Sequence, residues 1–255
     1  MKVAVLLAAL GSIGVAMWVG FGDVGARHLL ISDAVARPME DGTATATLTI
    51  ENTGAPDRLI GARAAGHTVT LYSPEDPAGP PVPVGLSALA LDAAHLRLSP
   101  ETPLRDGSLV PVTLTFAEAG DVSLRVRLSD PAAAGRAAEV GLFGLGDICV
   151  VGDGEPAPAI SLSVSEDAEG WLVRVEAEDF TFSRDLVGLY HVPGLGHGHV
   201  YVGGMKLSRL YQPEARIGPL PPGTHEVRVT LNTNDHRAYV VDDEPVTASA
   251  TIVVD

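Results

Sequence analysis

The chain has 255 residues, of which 17 are Lys or Arg and 32 are Asp or Glu, so its formal net charge is −15. This charge argues against nucleic acid as a partner, because binding to phosphates needs a positive surface. The length allows two domains of about 100 residues, each large enough to bury a core. Cys149 is the single cysteine, which excludes an intramolecular disulfide. Its apolar, Gly-rich surroundings predict a small buried side chain, with a thiolate ligand or an intermolecular bridge as the alternatives.

Residues 1–26 have the pattern of an export signal. Lys2 precedes an uncharged apolar run over residues 3–21, and the small residues 24–26 resemble a signal-peptide cleavage site. Cleavage would leave Arg27 as the first residue. Alternatively, the run is nearly long enough to span a bilayer and is retained as an N-terminal anchor. Both alternatives place the remaining chain in the periplasm or outside the cell, with membrane contact only through such an anchor.

Residues 27–130 are predicted to form a first β domain. Residues 43–50 are rich in β-branched side chains and end at the turn-forming cluster 52–56. Residues 122–128 alternate between apolar and polar side chains after a turn at 118–121. Several short strands at this spacing predict a sandwich or barrel.

A family resemblance rests on segments of this first domain. They are residues 42–44, 50–52, 57–62, 104–108, 110–116 and 119–120. On these residues, positions 28–128 resemble the periplasmic copper chaperone family PCuAC. The resemblance implies a cupredoxin-like β-sandwich. It also implies a Cu(I) site formed by an early His and Met and a later His-x-Met pair.

The ligands that the resemblance implies are largely missing. Tyr72 stands where the early His is expected, and the loop after it contains no Met. His95 matches the later motif, but Arg97 replaces its Met. A lone imidazole does not make a soft Cu(I) site. We therefore expect the chaperone scaffold without its own site, unless His95, Met39 or Cys149 completes a site across a domain interface.

A linker over residues 131–157 and a second domain over residues 158–255 are predicted next. The linker begins with small residues and ends in the breaker cluster 152–158. The second domain contains strand-like runs and no convincing helix. These runs cover residues 160–164, 171–177, 225–231 and 247–254. The pattern predicts an Ig-like β-sandwich, so the whole chain is expected to be all-β with two β-sandwich domains.

The second domain carries a His-x-His pair. Side chains alternate between the faces of a strand, so His197, His199 and Tyr201 share one face, while Val200 and Val202 can enter the core. Two imidazoles at this spacing can bind one metal ion. The alternative is a His-rich surface strand that binds nothing.

Further ligands are expected from nearby segments. A loop imidazole, His236 or His191, would give a third nitrogen, and Met205 could add a soft thioether. Three imidazoles suit copper or zinc, and a thioether favours copper, so we expect Cu(I) or Cu(II) before zinc. His225 shares the apolar face of its strand and is predicted to lie at the core rim rather than to bind metal.

Two further observations bear on function. Residues 196–204 and 209–211 resemble an uncharacterised His-rich module of exported proteins that handle metals. The chain has no G-x-S-x-G elbow and no phosphate-binding Gly loop, so we do not expect an enzyme. A His-x-His pair on a β-sandwich also resembles copper–zinc superoxide dismutase, but a single cysteine cannot form the disulfide of that family.

The sequence therefore predicts an exported copper-binding protein, a copper chaperone that delivers the metal to an extracytoplasmic acceptor such as an oxidase subunit under assembly. The alternative is a non-catalytic structural or interaction module whose metal sites have decayed. Substitution of His197 and His199 separates the two. A chaperone would lose metal and transfer together, whereas an interaction module would keep its partner.

Overall fold

The computed structural model describes residues 28–102, 104–129 and 148–255. These residues form β-strands joined by turns and contain no α-helix, which confirms the all-β prediction. Within the same ranges, no helix is long and apolar enough to cross a membrane. The export signal predicted for residues 1–26 and the greater part of the linker, 131–147, lie outside the described residues.

Nine strands make up the first domain. They are β1 (Leu29–Pro38), β2 (Ala44–Asn52), β3 (Asp57–Ala64), β4 (His67–Tyr72), β5 (Pro81–Val82), β6 (Gly85–Leu89), β7 (His95–Pro100), β8 (Leu109–Phe116) and β9 (Gly120–Leu128). Pairing runs in a closed ring through β3, β4, β7, β2, β1, β9, β8 and back to β3. The β1–β9 pairing is parallel, and the others in this ring are antiparallel.

The core of the first domain comes from strand alternation. Along β8, Val110, Val112, Leu114 and Phe116 are buried, while the residues between them are more exposed. Burying one such side chain contributes roughly 1.5–3 kcal/mol to folding. The inward faces of β2 and β7 continue this core with the fully buried Leu96 and Leu98 among others. The ring of strands therefore encloses an apolar interior, and polar side chains such as Asp92 lie in the turns between strands.

Eleven strands make up the rest of the described chain. They are β10 (Ile148–Val150), β11 (Ala159–Asp167), β12 (Gly170–Glu178), β13 (Thr181–Phe182), β14 (Leu195–Val202), β15 (Met205–Leu210), β16 (Glu214–Ile217), β17 (Gly223–Thr233), β18 (Ala238–Val241), β19 (Glu244–Pro245) and β20 (Thr247–Val254). One sheet has the order β11-β12-β16, and the other has β15-β14-β17-β20. Valines from both sheets meet in a second core, as a sandwich requires.

The predicted linker extends too far toward the C-terminus. Residues 148–150 were expected within the linker 131–157, but they form β10 and pair in parallel with β18, with Cys149 opposite Tyr239. Ile148 and Val150 face outward, and Cys149 is buried with Leu231 and Tyr239. The buried-thiol interpretation of Cys149 is thus confirmed, and its segment belongs to the second domain.

The two domains are in direct contact at what we call the domain junction, formed by β6 and residues 90–94 of the first domain and by the β14–β15 hairpin of the second. Lys206 on β15 pairs with Ala88 on β6. The Ala94 N–H donates to the Gly204 carbonyl at 2.7 Å. Leu207 packs against both cores. The face of β14 that carries the His-x-His pair lies beside this junction.

Candidate metal centre

β14 presents the His-x-His pair on one face, as its alternation predicts. It is paired on both sides, with β15 and with β17, and Val200 and Val202 fill the core on its other face. Because a slip by one residue would move these valines out of the core, the register is fixed. His197 is 0% exposed and His199 is 2% exposed, and their Nε2 atoms lie 3.1 Å apart.

A third imidazole comes from the turn after β17. His236 has a φ of 69°, a left-handed conformation that is uncommon for residues other than glycine. The turn is held by the Thr233 hydroxyl, which donates to Asp235 and accepts from the Arg237 N–H at 3.0 Å. The His236 ring centroid lies 4.8 Å from that of His197.

Three predicted ligands are thus brought together, and we call His197, His199 and His236 the histidine cluster. One ligand atom from each lies within 4.8 Å of the others. Two nitrogens bound to one ion at about 2.0–2.1 Å are separated by about 2.9–3.3 Å, which matches the 3.1 Å between His197 and His199. The ligand roles of these residues remain predictions: His197 and His199 stand at the spacing of two ligands of one ion, and His236 would complete the site by a small shift of its ring.

The imidazoles of the histidine cluster have lowered pKa values. Burial, with the neighbouring His199 and His236, lowers the pKa of His197 to about 2. Burial also lowers the pKa of His199 to about 4, although Asp92 opposes that shift. Burial and the charges of Arg209 and Lys206 lower the pKa of His236. All three imidazoles are therefore neutral at pH 7, the form that ligates metals.

Several polar atoms around the histidine cluster have no hydrogen-bond partner within the part of the chain that the structure describes. They include His197 Nδ1, Asn232 Oδ1 and both polar side-chain atoms of Asn234, all buried. Asn232 pairs with His197 across the β14–β17 ladder. Each unsatisfied buried group costs about 1–3 kcal/mol. Of these atoms, the Asn232 and Asn234 oxygens are acceptors that a bound cation or its water could satisfy.

A carboxylate from the first domain also reaches this face. Asp92, in the turn between β6 and β7, accepts hydrogen bonds from the Tyr201 hydroxyl at 2.6 Å and from Lys206 Nζ at 2.9 Å. The Tyr201 oxygen lies 3.3 Å from His199 Nδ1. Partial burial would raise the pKa of Asp92, but His199, Lys206 and Tyr201 together hold it well below its usual value.

Asp92 was not predicted from the sequence. It is 109 positions from Tyr201 in the chain, so only the packing of the domains brings the two together. One signal could have drawn attention to it. Asp92 lies three residues before His95, the position that matches the family's later copper motif.

The remaining predicted ligands lie elsewhere. Met205 is fully buried in the core of the first domain. His191 Nε2 lies 3.7 Å from Cys149 Sγ, beside the Tyr239 ring. His95 contacts the Tyr72 ring, at a centroid distance of 4.7 Å. The structure therefore does not bring Met205, His191 or His95 into the histidine cluster.

Other residues agree with their expected roles. His225 is buried, and its Nε2 lies 2.7 Å from the Pro221 carbonyl oxygen, as the core-rim interpretation predicts. Arg97, which replaces the family's Met, forms an ion pair with Asp41. The position of the family's copper ligand thus carries a guanidinium with a partner of its own.

Comparison with known proteins agrees with this picture of the first domain. Residues 29–128 match the family model described as "LpqE-like: Putative lipoprotein LpqE-like". The first domain is similar to this family, and the match covers less than half of the chain. This match supports the resemblance inferred from residues 28–128. No curated protein sequence matches the chain.

Solved PCuAC domains are similar in fold to the first domain. The copper-bound PCuAC domain from PmoF2 is 24% identical with a TM-score of 0.36, and covers 41% of this chain and 94% of its own. The apo PCuAC domain from PmoF1 is 24% identical with a TM-score of 0.37, covering 41% and 95%. Copper(I)-bound DR1885 from Deinococcus radiodurans is 22% identical with a TM-score of 0.29, covering 42% and 83%.

Proposed function

We propose that this protein binds one copper ion outside the cytoplasm through His197, His199 and His236 and passes it to an acceptor protein, without catalysing a reaction. The observation that carries the proposal is the histidine cluster, whose ligand atoms lie within 4.8 Å of one another. His197 and His199 are buried on a strand that is paired on both sides, so their positions are set before any ion arrives.

A bound metal would give the facing Nε2 atoms of His197 and His199 a common partner. Without a metal, the contact between the Nε2 atoms of His197 and His199 needs one ring to donate to the other. His197 Nδ1 lacks a partner among the described residues with or without a metal. An ion between the rings satisfies both Nε2 lone pairs and offsets part of the cost of burying the imidazoles.

The donor set supports copper over zinc. At a site of a given nitrogen geometry, affinity rises along the first-row divalent ions to Cu²⁺ and is lower for Zn²⁺. Lys206 and Arg209 also lower the pKa of His236 by their charge, so they lie close enough to repel a cation. Coulomb repulsion is half as large for Cu⁺ as for a divalent ion. The proposal therefore covers both oxidation states of copper.

Transfer is supported by the asymmetry of the three ligands. His197 and His199 are fixed and buried, whereas His236 is half-buried at the end of a turn. An acceptor can therefore approach from the side of His236 and replace one ligand at a time. Export is supported by the signal-like residues 1–26 and by the lipoprotein description of the matching family.

The test is a competitive titration of the full-length protein with Cu(I) under anaerobic conditions against a chromophoric chelator, with parallel titrations of Cu(II) and Zn(II). The variant is His197→Ala/His199→Ala. The control is His67→Ala/His95→Ala, which removes two imidazoles from the first domain, including the one that matches the family's copper motif. We expect one-to-one copper binding that weakens at least 100-fold in the variant and is unchanged in the control.

Two results would contradict the proposal. Copper binding that is equally weak in all three proteins would leave the histidine cluster as part of the core and would favour the interaction-module alternative. Loss of binding in the control alone would move the site to the first domain. Transfer is then tested by mixing the copper-loaded protein with an apo acceptor domain from a copper oxidase and measuring the copper content of each after separation.

A further inference from the structure

We propose that the first domain controls the metal site of the second: Asp92 is a positioning residue that orients His199 through Tyr201, so that metal affinity depends on the domain junction. This inference rests on the proposed function and adds to it. It assigns the first domain a role in the site although the positions that match the family's ligands do not form one.

The contacts form a directed chain of hydrogen bonds. The Tyr201 hydroxyl donates to Asp92 Oδ2 at 2.6 Å, so its oxygen is free to accept from His199 Nδ1–H at 3.3 Å. Asp92 Oδ2 itself lies 3.7 Å from that nitrogen, which is too far for a direct hydrogen bond but close enough for charge attraction. Both effects favour the tautomer of His199 with its proton on Nδ1.

This tautomer is the one that binds metal at the cluster. With the proton on Nδ1, the lone pair of His199 is on Nε2, the atom that faces His197 Nε2 at 3.1 Å. Carboxylates that orient a metal-binding imidazole in this way typically strengthen metal binding 10–100-fold. Asp92 therefore selects the ligand atom without touching the ion.

Asp92 is held in place by both domains. Lys206 of the second domain donates to the same oxygen, Oδ2, at 2.9 Å, and the neighbouring Ala94 N–H donates to Gly204 across the junction. Tyr201 is fixed from its other side by Arg228, whose guanidinium lies 4.1 Å from the ring centroid.

Arg228 extends the same junction. Its guanidinium donates to Glu75 of the first domain at 2.7 Å and to the Thr230 hydroxyl at 2.9 Å. The tyrosine that links Asp92 to His199 is thus bordered by two contacts between the domains, one through Lys206 and one through Arg228. Both contacts are broken if the junction opens.

Metal binding and the contact between the two domains are therefore linked. Opening the junction removes the carboxylate, leaves Tyr201 without its acceptor and frees His199 to change tautomer, so the metal is held less tightly. By thermodynamic reciprocity, bound metal must strengthen the junction by the same factor. An acceptor protein that inserts at the domain junction would lower the metal affinity of the histidine cluster in this way. Binding of the acceptor would therefore trigger release of the metal.

The experiment compares Tyr201→Phe and Asp92→Asn with the unmodified full-length protein. Tyr201→Phe removes one oxygen and no charge, so it tests the chain of hydrogen bonds even if Asp92→Asn disturbs the fold. Asp121→Asn is the control, because Asp121 belongs to the same domain but pairs with Arg63 away from the junction. Copper affinity is measured by competition, and the His199 tautomer by nitrogen-15 NMR of the metal-free protein.

We expect copper affinity to fall 10–100-fold in both variants and to be unchanged in the control. We also expect His199 to be an Nδ1–H tautomer in the unmodified protein and a mixture of tautomers in both variants. A merely structural role would alter stability without moving the tautomer. If the unmodified protein binds copper tightly, and both variants bind equally well with the same tautomer, the inference fails while the proposed function stands. If the unmodified protein does not bind copper, both fail.

Discussion

Lys206 on β15 pairs in antiparallel register with Ala88 on β6, so a strand of the second domain is hydrogen-bonded to a strand of the first. The residue before it, Met205, packs in the first domain's core, and the residue after it, Leu207, contacts both cores. The β14–β15 hairpin that carries the His-x-His pair is therefore held by both domains. A substitution that disturbs either side of the junction should therefore change the metal affinity of the histidine cluster.

The first prediction separates a core role of Met205 from a ligand role. Met205→Ala removes a fully buried side chain from the first core, so we expect it to lower the free energy of unfolding by about 2–5 kcal/mol. Copper affinity should stay within about threefold, because the thioether lies in the core rather than among the imidazoles. Denaturant unfolding and a competitive copper titration give the two values. A loss of affinity above tenfold without a loss of stability would restore Met205 as a ligand.

Features that depend on interactions between residues close in the chain could be predicted from the sequence, and features that depend on distant contacts could not. Strand alternation is local, so it correctly placed His197 and His199 on one face and the valines on the other. His236 follows from a polar run after β17 that forms a turn. Met205 follows the tight turn Gly203–Gly204, where φ is 51° and 79°. The strand that begins at Met205 was not predicted, and local pattern does not show which of the two cores that strand enters.

Asp92 marks the limit of such reasoning. Its partners Tyr201 and Lys206 are more than 100 positions away in the chain, and the one local signal, its place three residues before His95, does not identify them. The same limit applies to the linker, where β10 is too short and too weakly patterned to be recognised before its partner β18 is known. Chemistry at a domain junction depends on packing between segments that the sequence alone does not pair.

The second prediction concerns the stability of the metal-free protein against pH. The folded-state pKa values of His197 and His199 are about 2 and about 4, below the unfolded value of about 6.5. As pH falls below 6.5, the unfolded chain takes up protons that the folded protein does not. Stability is therefore fully present above pH 6.5 and falls by about 2 kcal/mol per histidine between pH 6.5 and 5.

Denaturant unfolding at pH 7.0 and 5.0 checks this slope, with the His197→Ala/His199→Ala variant as the control. The variant can be less stable at both pH values because of lost packing, but its loss between them should be smaller by about 4 kcal/mol. Carboxylates do not confuse the comparison, because they titrate mostly below pH 5. Equal slopes in the two proteins would mean that these imidazoles are protonated in the folded state.

The third prediction concerns copper binding in mild acid. An exposed histidine ligand with a pKa of about 6.5 loses about tenfold in metal affinity at pH 5.5, because protons compete for its nitrogen. The pKa values of His197 and His199 lie well below this pH, so they remain neutral. The pKa of His236 is also below its usual value, so we expect copper affinity to fall by less than about tenfold between pH 7.5 and pH 5.5. A fall of 100-fold or more would place the bound ion on exposed histidines instead.

The last prediction tests whether Cys149 takes part in copper binding. Its thiol is 5% exposed, and burial raises its pKa, so the reactive thiolate is scarce at pH 7.5. We expect alkylation by iodoacetamide to be at least 100-fold slower in the native protein than in the same protein unfolded in urea. Cys149→Ala should leave copper stoichiometry at one ion and affinity unchanged, since the contact of Cys149 is with His191 and not with the histidine cluster. Rapid native alkylation that copper(I) blocks, together with a lower stoichiometry in Cys149→Ala, would instead show that the thiol binds copper with His191.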